Sequence, residues 1–264
     1  FGGFSTRTIA SGELVTTQRY GGPLPDSNFW GRHLVMGLPF AAALLTRAQR
    51  SGRRLSIFLW WAVLLSVLAG VYLTQSRGTF VAAGLAVAVW FLLVERSVRR
   101  WGLLILPMGT VALAIPGIGN RLQLTLYDLT HASQGGQIDP SVLGRLAAQQ
   151  AALMMFGERP IFGFGPSTFF GQWPNFAGRV PVAVRDLPLI APHNLYTEFL
   201  AESGLFGLLG WMVLVLGFLA AAVLRIICEP QSRDRVLAAA ACAGIAGWLV
   251  ASVGIQLTYC RTFA

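Results

Sequence analysis

Long apolar runs alternate along the chain with short polar segments that are rich in arginine. Six of these runs are long enough, or nearly so, to cross a bilayer of about 30 Å, which takes roughly 17–25 helical residues. Because lipid offers no partner to an unpaired backbone group, each run predicts a helix. The pattern predicts an all-α, polytopic transmembrane bundle with about six spans. The predicted spans are Trp30–Thr46, Leu55–Leu73, Thr79–Val94, Trp101–Ile118, Leu205–Leu224 and Val236–Gly254.

The short arginine-rich segments indicate how the spans are oriented. Short loops rich in basic residues lie on the cytoplasmic face of membrane proteins. If the spans alternate in direction, three arginine clusters fall on one side, which we assign to the cytoplasm. These clusters are Arg47, Arg50, Arg53 and Arg54; Arg96, Arg99 and Arg100; and Arg225, Arg233 and Arg235. The N-terminal segment, the turn at Gln75–Gly78 and the long stretch Gly119–Ser203 are then predicted to be periplasmic.

The predicted periplasmic loop contains helix signals of its own. Asp139 and Pro140 fit an N-cap and a first helical position for a helix over Ser141–Phe156. A turn rich in glycine and proline follows at Gly157–Pro166, and a second helix is expected to begin near His193. We therefore predict three regions: residues 1–118 with spans 1–4, residues 119–203 as a large helical periplasmic loop, and residues 204–264 with spans 5–6.

Composition and charge support a membrane protein and exclude some other classes. Of the 264 residues, 55% are hydrophobic and only 12% are charged, whereas soluble domains carry about 25% charged residues. The net charge is +9, and the chain contains arginine but no lysine. Because the basic clusters adjoin apolar spans, they are typical of topology signals, and nucleic acid is not an expected partner. The chain begins at Phe1 without a signal-peptide pattern, so we expect it to be part of a longer protein.

Three polar residues outside the predicted cytoplasmic clusters are candidates for chemistry. Arg77 lies at the outer end of a span, where it either extends to the interface as an anchor or binds an anionic headgroup or diphosphate. Arg145 falls in the first loop helix, where a solvated position is the simpler interpretation. His193 precedes the second loop helix, whose dipole disfavours the imidazolium, so a neutral ring could act as a general base. A structural hydrogen bond is the alternative for His193.

No set of side chains at metal-binding spacing is evident in the sequence. Acidic pairs and clusters of His with carboxylates are absent at the expected intervals, and Cys228, Cys242 and Cys260 lie too far apart for a zinc motif. We therefore expect a reaction that needs neither a metal ion nor a cofactor.

Several short motifs, in this order and spacing, resemble the O-antigen ligase and O-antigen polymerase family of membrane glycosyltransferases. The resemblance covers about 240 residues, and Ser27 stands where the family has proline. The motifs are Asp26-Ser27-Asn28, Ser76-Arg77-Gly78, Gly144-Arg145-Leu146, Glu158-Arg159-Pro160 continuing to Pro166, His193-Asn194-Leu195-Tyr196, Ala201-Glu202-Ser203-Gly204-Leu205 and Tyr259-Cys260-Arg261.

The resemblance implies a specific reaction at the periplasmic face of the bacterial inner membrane. The donor would be a glycan linked to undecaprenyl diphosphate, whose diphosphate Arg77 and Arg145 would bind. His193 would deprotonate an acceptor hydroxyl on lipid A core, which then attacks the anomeric carbon with inversion. Asn194, Arg159 and Glu202 are candidate supporting residues.

Other functions remain open at this point. Within the family, the acceptor could be another lipid-linked repeat unit, as in a polymerase, or a protein hydroxyl. A transporter of lipid-linked sugars is a different class, which predicts polar residues within several spans and internal symmetry. A non-catalytic membrane scaffold predicts that Arg77, Arg145 and His193 do not converge.

Overall fold

A computed structural model describes residues 4–5, 19–24, 27–94, 140–180, 192–228 and 234–253. In these ranges the chain forms seven helices and one antiparallel pair of two-residue strands, which confirms the predicted helical class. The elements are β1 Phe4–Ser5, β2 Arg19–Tyr20, α1 Ser27–Ser51, α2 Arg54–Leu73, α3 Arg77–Leu93, α4 Pro140–Glu158, α5 Phe169–Ala177, α6 Leu195–Cys228 and α7 Arg235–Ala251.

Five of the six predicted spans coincide with helices, namely α1, α2, α3, α6 and α7. The fourth, Trp101–Ile118, lies outside the described residues. So do Asp26, Asp139, the cluster Arg96, Arg99 and Arg100, and the motif Tyr259–Arg261.

Of the seven described helices, α2 and α6 are long and apolar enough to cross a membrane. Only 6% of the apolar window of each is buried, whereas the core helix of a soluble protein would be mostly covered by its own chain. Large side chains on both helices face outward, such as Phe58 at 69% and Val213 at 71% exposure. Exposed apolar surface of this extent is typical of contact with lipid. The apolar stretches Gly78–Leu93 and Arg235–Ala251 are shorter, so a total of six spans stays a prediction.

Contacts along the chain divide it into two compact units. The first contains α1, α2, α3, α7 and the part of α6 from Gly217 onward. In it, α1 packs against α2, α3 and α7, and α7 also packs against α3. Small residues bring these helices close together: a Cβ atom added at Gly247 would lie 2.8 Å from side-chain atoms of Ala86 and Val35. Such close packing of small residues is a common way to join helices in lipid.

One end of the first unit carries two of the three predicted cytoplasmic arginine clusters. Asp234 lies 3.9 Å from Arg47, near the end of α1, and 3.7 Å from Arg225, near the end of α6. All three side chains are about half exposed, so these ion pairs add little stability. The ion pairs do show that the two clusters lie at the same end of the unit, as the prediction of alternating spans requires.

The second unit contains α4, α5 and the part of α6 up to Leu216. Alanines of α4 and the aromatic residues of α5 form its core with Val180 and Ala201. The predicted helix over Ser141–Phe156 is confirmed as α4, and the helix expected near His193 begins at Leu195. Helix α5 was not predicted, because it has only nine residues and contains Pro174.

Candidate active site

His193 lies two residues before Leu195, the first residue of α6, in an unusual backbone conformation. Its φ is +50°, in the left-handed region that few residues other than glycine adopt. The neighbouring groups hold it there: Pro192 is fully buried, and the Leu195 amide donates to the Ser252 carbonyl at 3.0 Å. The His193 side chain is partly buried. Backbone strain of this kind costs about 1–3 kcal/mol and is concentrated at functional sites, so it favours a role for His193 beyond packing.

Asn194 fixes the first turn of α6. Its side-chain oxygen accepts hydrogen bonds from the amides of Tyr196, at 3.0 Å, and Thr197, at 3.4 Å. This is the N-cap arrangement, which satisfies amides that have no partner within the helix. The proposed supporting role of Asn194 therefore has a local basis: it defines where the helix begins, and so where His193 is held.

Helix α6 is broken at Gly204, nine residues after it begins. Gly204 has φ +62° and ψ −164°, a combination open essentially to glycine alone. The turn Pro160–Gly165, which we name the clasp turn, runs alongside the break. The clasp turn lies within the range predicted as a turn, Gly157–Pro166, and confirms that prediction. An added Cβ at Gly204 would lie 2.4 Å from the Ile161 carbonyl oxygen, so only glycine permits this approach.

The clasp turn provides hydrogen-bond partners for the backbone groups that the break exposes. The amides of Phe164 and Gly165 donate to the carbonyls of Ala201, at 3.0 Å, and Glu202, at 2.8 Å. In the other direction, the amides of Leu205 and Phe206 donate to carbonyls of the clasp turn at 2.8 and 3.0 Å. Four backbone hydrogen bonds therefore join the loop to α6 at the break.

Glu202 links this joint to the start of α5. Its side chain is 1% exposed, and its two carboxylate oxygens accept from the amides of Ser167, at 2.9 Å, and Phe169, at 3.0 Å. Thr168, the N-cap residue of α5, makes no side-chain cap bond. Glu202 thus caps α5 from another helix, and its negative charge lies at the positive end of the helix dipole. This gives its predicted supporting role a structural mechanism.

Arg159 and Arg145 occupy different environments in the second unit. The Arg159 guanidinium lies 4.5 Å from the centre of the Phe164 ring, which favours a contribution to the clasp turn. Arg145 is partly buried on α4 beside the buried Gly144. It belongs to the same compact unit as His193, and their convergence on one cavity stays a prediction.

Arg77 begins α3 in the first unit, where Ser76 provides the N-cap. The Ser76 hydroxyl accepts from the Thr79 amide at 3.3 Å, and Thr74, Ser76 and Thr79 are all buried. The Arg77 side chain lies outside what the structure describes, so its approach to the other two residues also stays a prediction.

Sequence reasoning overlooked Arg32, which is fully buried in α1. Its guanidinium carbon lies 5.5 Å from the centre of the Trp248 ring on α7. The adjacent Gly31 contacts Thr79 of α3, so Arg32 and Arg77 belong to the same end of the first unit. An arginine inside a predicted span was the available signal, because ionisable residues at membrane depth are functional candidates by default.

In the described parts of the chain, no three His, Cys, Asp or Glu side chains are grouped so that they could hold a metal ion. Metal independence stays a prediction.

Comparison with known proteins identifies one family. The sequence model of a family described as O-antigen ligase matches residues 61–212. This range covers more than half of the chain and includes Arg77, Arg145 and His193. A comparison with curated proteins found no match.

Proposed function

Because the chain belongs to the O-antigen ligase family of membrane-embedded glycosyltransferases, we propose that it transfers a glycan from undecaprenyl diphosphate to a hydroxyl of lipid A core. The family match carries this proposal, since the matched range contains the proposed base and both arginines proposed to bind the diphosphate. The left-handed backbone of His193, just before α6, supports it, because such costly conformations are concentrated at functional sites.

In the proposed reaction, His193 accepts the proton of the acceptor hydroxyl. The acceptor oxygen then bonds to the anomeric carbon from the face opposite the donor phosphate, and the bond between that carbon and the phosphate oxygen breaks. The electron pair leaves with the lipid diphosphate, and the configuration at the anomeric carbon is inverted. The reaction needs no metal ion, because Arg77 and Arg145 stabilise the charge that grows on the leaving diphosphate.

We place this reaction at the periplasmic face of the inner membrane, in a multi-pass protein. The arginine clusters around Arg47 and Arg225, which both pair with Asp234, support the assignment of that end to the cytoplasm. Arg77 and Arg32 lie toward the opposite ends of their helices. Lipid-linked donors and lipid A core are both membrane molecules, so their reacting groups meet near headgroup depth on that side.

The test is a transfer assay with full-length protein in vesicles, a purified undecaprenyl-diphosphate-linked glycan and lipid A core. His193→Ala should lower kcat by about 10²–10⁴-fold and leave donor binding unchanged, because only the proton transfer is lost. His33→Ala is the matched control, since His33 is exposed and its ring contacts the Phe29 carbonyl. If His193→Ala retains the turnover of this control, His193 is not the base.

The same assay tests the diphosphate contacts. Arg77→Lys and Arg145→Lys should each weaken donor binding about 10-fold or more, because a lysine cannot form the two parallel hydrogen bonds of a guanidinium. Arg179→Lys is the control, since Arg179 is exposed and pairs with Glu158. Transfer to a second lipid-linked repeat unit or to a protein, with none to lipid A core, would replace the ligase assignment with a polymerase or protein glycosyltransferase.

A further inference from the structure

The tip of the clasp turn exposes two large apolar side chains. Ile161 is 62% exposed and Phe162 is 70% exposed, although the backbone on both sides of them is hydrogen bonded to α6. Single exposed apolar side chains are common on protein surfaces and would need no explanation. These two, however, continue into a larger surface.

That surface extends onto α6 just beyond its break. The Phe162 and Phe206 rings lie 5.7 Å apart, and Phe206 is itself 70% exposed. Leu205 and Leu209 are 46% and 50% exposed, and Val213 follows along the helix at 71%. The turn and the helix therefore present one continuous apolar surface.

The length of α6 relates this surface to the bilayer. From Phe206 to Arg225 the helix rises about 30 Å at about 1.5 Å per residue, which equals the thickness of the hydrocarbon core. With Arg225 at one boundary, Phe206 falls at the other. The clasp turn then lies at the depth where hydrocarbon meets headgroups.

We propose that Ile161 and Phe162 insert into the outer boundary of the bilayer hydrocarbon and anchor the loop to the membrane beside α6. The occupant of this surface is bilayer lipid, since the same surface is continuous with the exposed face of a candidate span. The joint lowers the cost of placing the turn at this depth, because the amides of Phe164 and Gly165 and the carbonyls of Pro160 and Ile161 bond to α6. This inference rests on the membrane embedding of the chain and not on the transfer reaction.

Nitroxide labels on the full-length protein in phosphatidylglycerol and phosphatidylethanolamine vesicles test the proposal. Labels are placed at Ile161→Cys and Phe162→Cys after Cys228, Cys242 and Cys260 are replaced by serine or alanine. Collision rates with oxygen, which concentrates in hydrocarbon, are compared with those of a water-soluble nickel chelate. Val213→Cys provides the lipid reference and Asn175→Cys, an exposed polar position on α5, the aqueous reference.

We expect both turn labels to collide more with oxygen than with the nickel chelate, with a ratio shifted from that of Asn175 toward that of Val213. Two adjacent positions guard against one variant that fails to fold, and circular dichroism checks each. Equal accessibility at Phe162 and Asn175 would overturn the proposal. Shielding that appears only after a polyprenyl-diphosphate donor is added would also overturn it, because the occupant would then be the donor tail.

Discussion

Replacement of Glu202 by alanine should release α5 from its cap. The carboxylate is 1% exposed and accepts two backbone hydrogen bonds, at 2.9 and 3.0 Å. A hydrogen bond to a charged group contributes about 1.5–3 kcal/mol, and each buried amide left without a partner costs about 1–3 kcal/mol. The two lost bonds, from the part-buried Ser167 amide and the buried Phe169 amide, give an expected loss of about 3 kcal/mol in the local stability of α5.

Amide hydrogen exchange measures this loss directly. Since about 1.4 kcal/mol corresponds to a tenfold change in an equilibrium, exchange in α5 should accelerate by roughly 10²-fold when it proceeds through local opening. Glu202→Gln keeps one carbonyl acceptor of similar size and should give a smaller acceleration. The measurement requires protein in detergent micelles or nanodiscs and a peptide that covers Phe169–Ala177.

Glu158→Ala is the matched control for this prediction. Glu158 pairs with Arg179 at the surface, with both side chains about half exposed, and such pairs contribute only about 0–1 kcal/mol. Its removal should therefore change exchange in α5 by less than about tenfold. If Glu202→Ala accelerates exchange no more than Glu158→Ala does, Glu202 does not cap the helix and the argument is wrong.

Two glycine substitutions test the close approaches that the helices make. Gly204→Ala should destabilise the protein by at least about 1–3 kcal/mol, because its φ is +62° and the new methyl would lie 2.4 Å from a backbone carbonyl oxygen. The control Gly210→Ala, with nothing within 4 Å of the new methyl, should be neutral or stabilising. Equal midpoints of the two variants in unfolding by dodecyl sulfate would contradict the fixed break. Gly31→Ala should lower the stability by about 1–3 kcal/mol in the same assay, because the methyl would lie 2.1 Å from the Thr79 hydroxyl oxygen. The control Gly37→Ala, in the same helix, places its methyl in free space. An equal effect of the two substitutions would show that α1 and α3 are not closely packed at Gly31.

The sequence predicted the helices well because their signal is local. Apolar runs such as Leu55–Leu73 must be helical in lipid, and the structure has α2 over nearly the same residues. The helix over Ser141–Phe156 was predicted from Pro140 and the run after it, and α4 follows it closely. Helix α5 was not predicted because it is short and contains Pro174, and because its cap comes from Glu202 of α6, which is distant in sequence.

The site was predicted only as far as its signals were local. A helix start near His193 follows from adjacent residues, and the helix begins at Leu195. The structure added the role of Asn194 as its cap. The break at Gly204 could not be inferred, because glycines occur throughout the spans and nothing nearby in the sequence distinguishes this one. Arg32 could have been found, since a charge inside an apolar run is visible without any structure.

The break at Gly204 also explains why two separate sequence motifs belong together. A broken helix leaves backbone amides and carbonyls unpaired, and each costs several kcal/mol where water is excluded. The clasp turn supplies partners for all four of the groups described at the break, and it approaches closely only because Gly163 and Gly204 lack side chains. The motif Glu158–Pro166 therefore supplies the hydrogen-bond partners that the broken helix needs at Ala201–Leu205. Since His193 and Asn194 immediately precede the short segment of α6 that ends at this joint, the joint sets the direction of the helical segment that follows the proposed base.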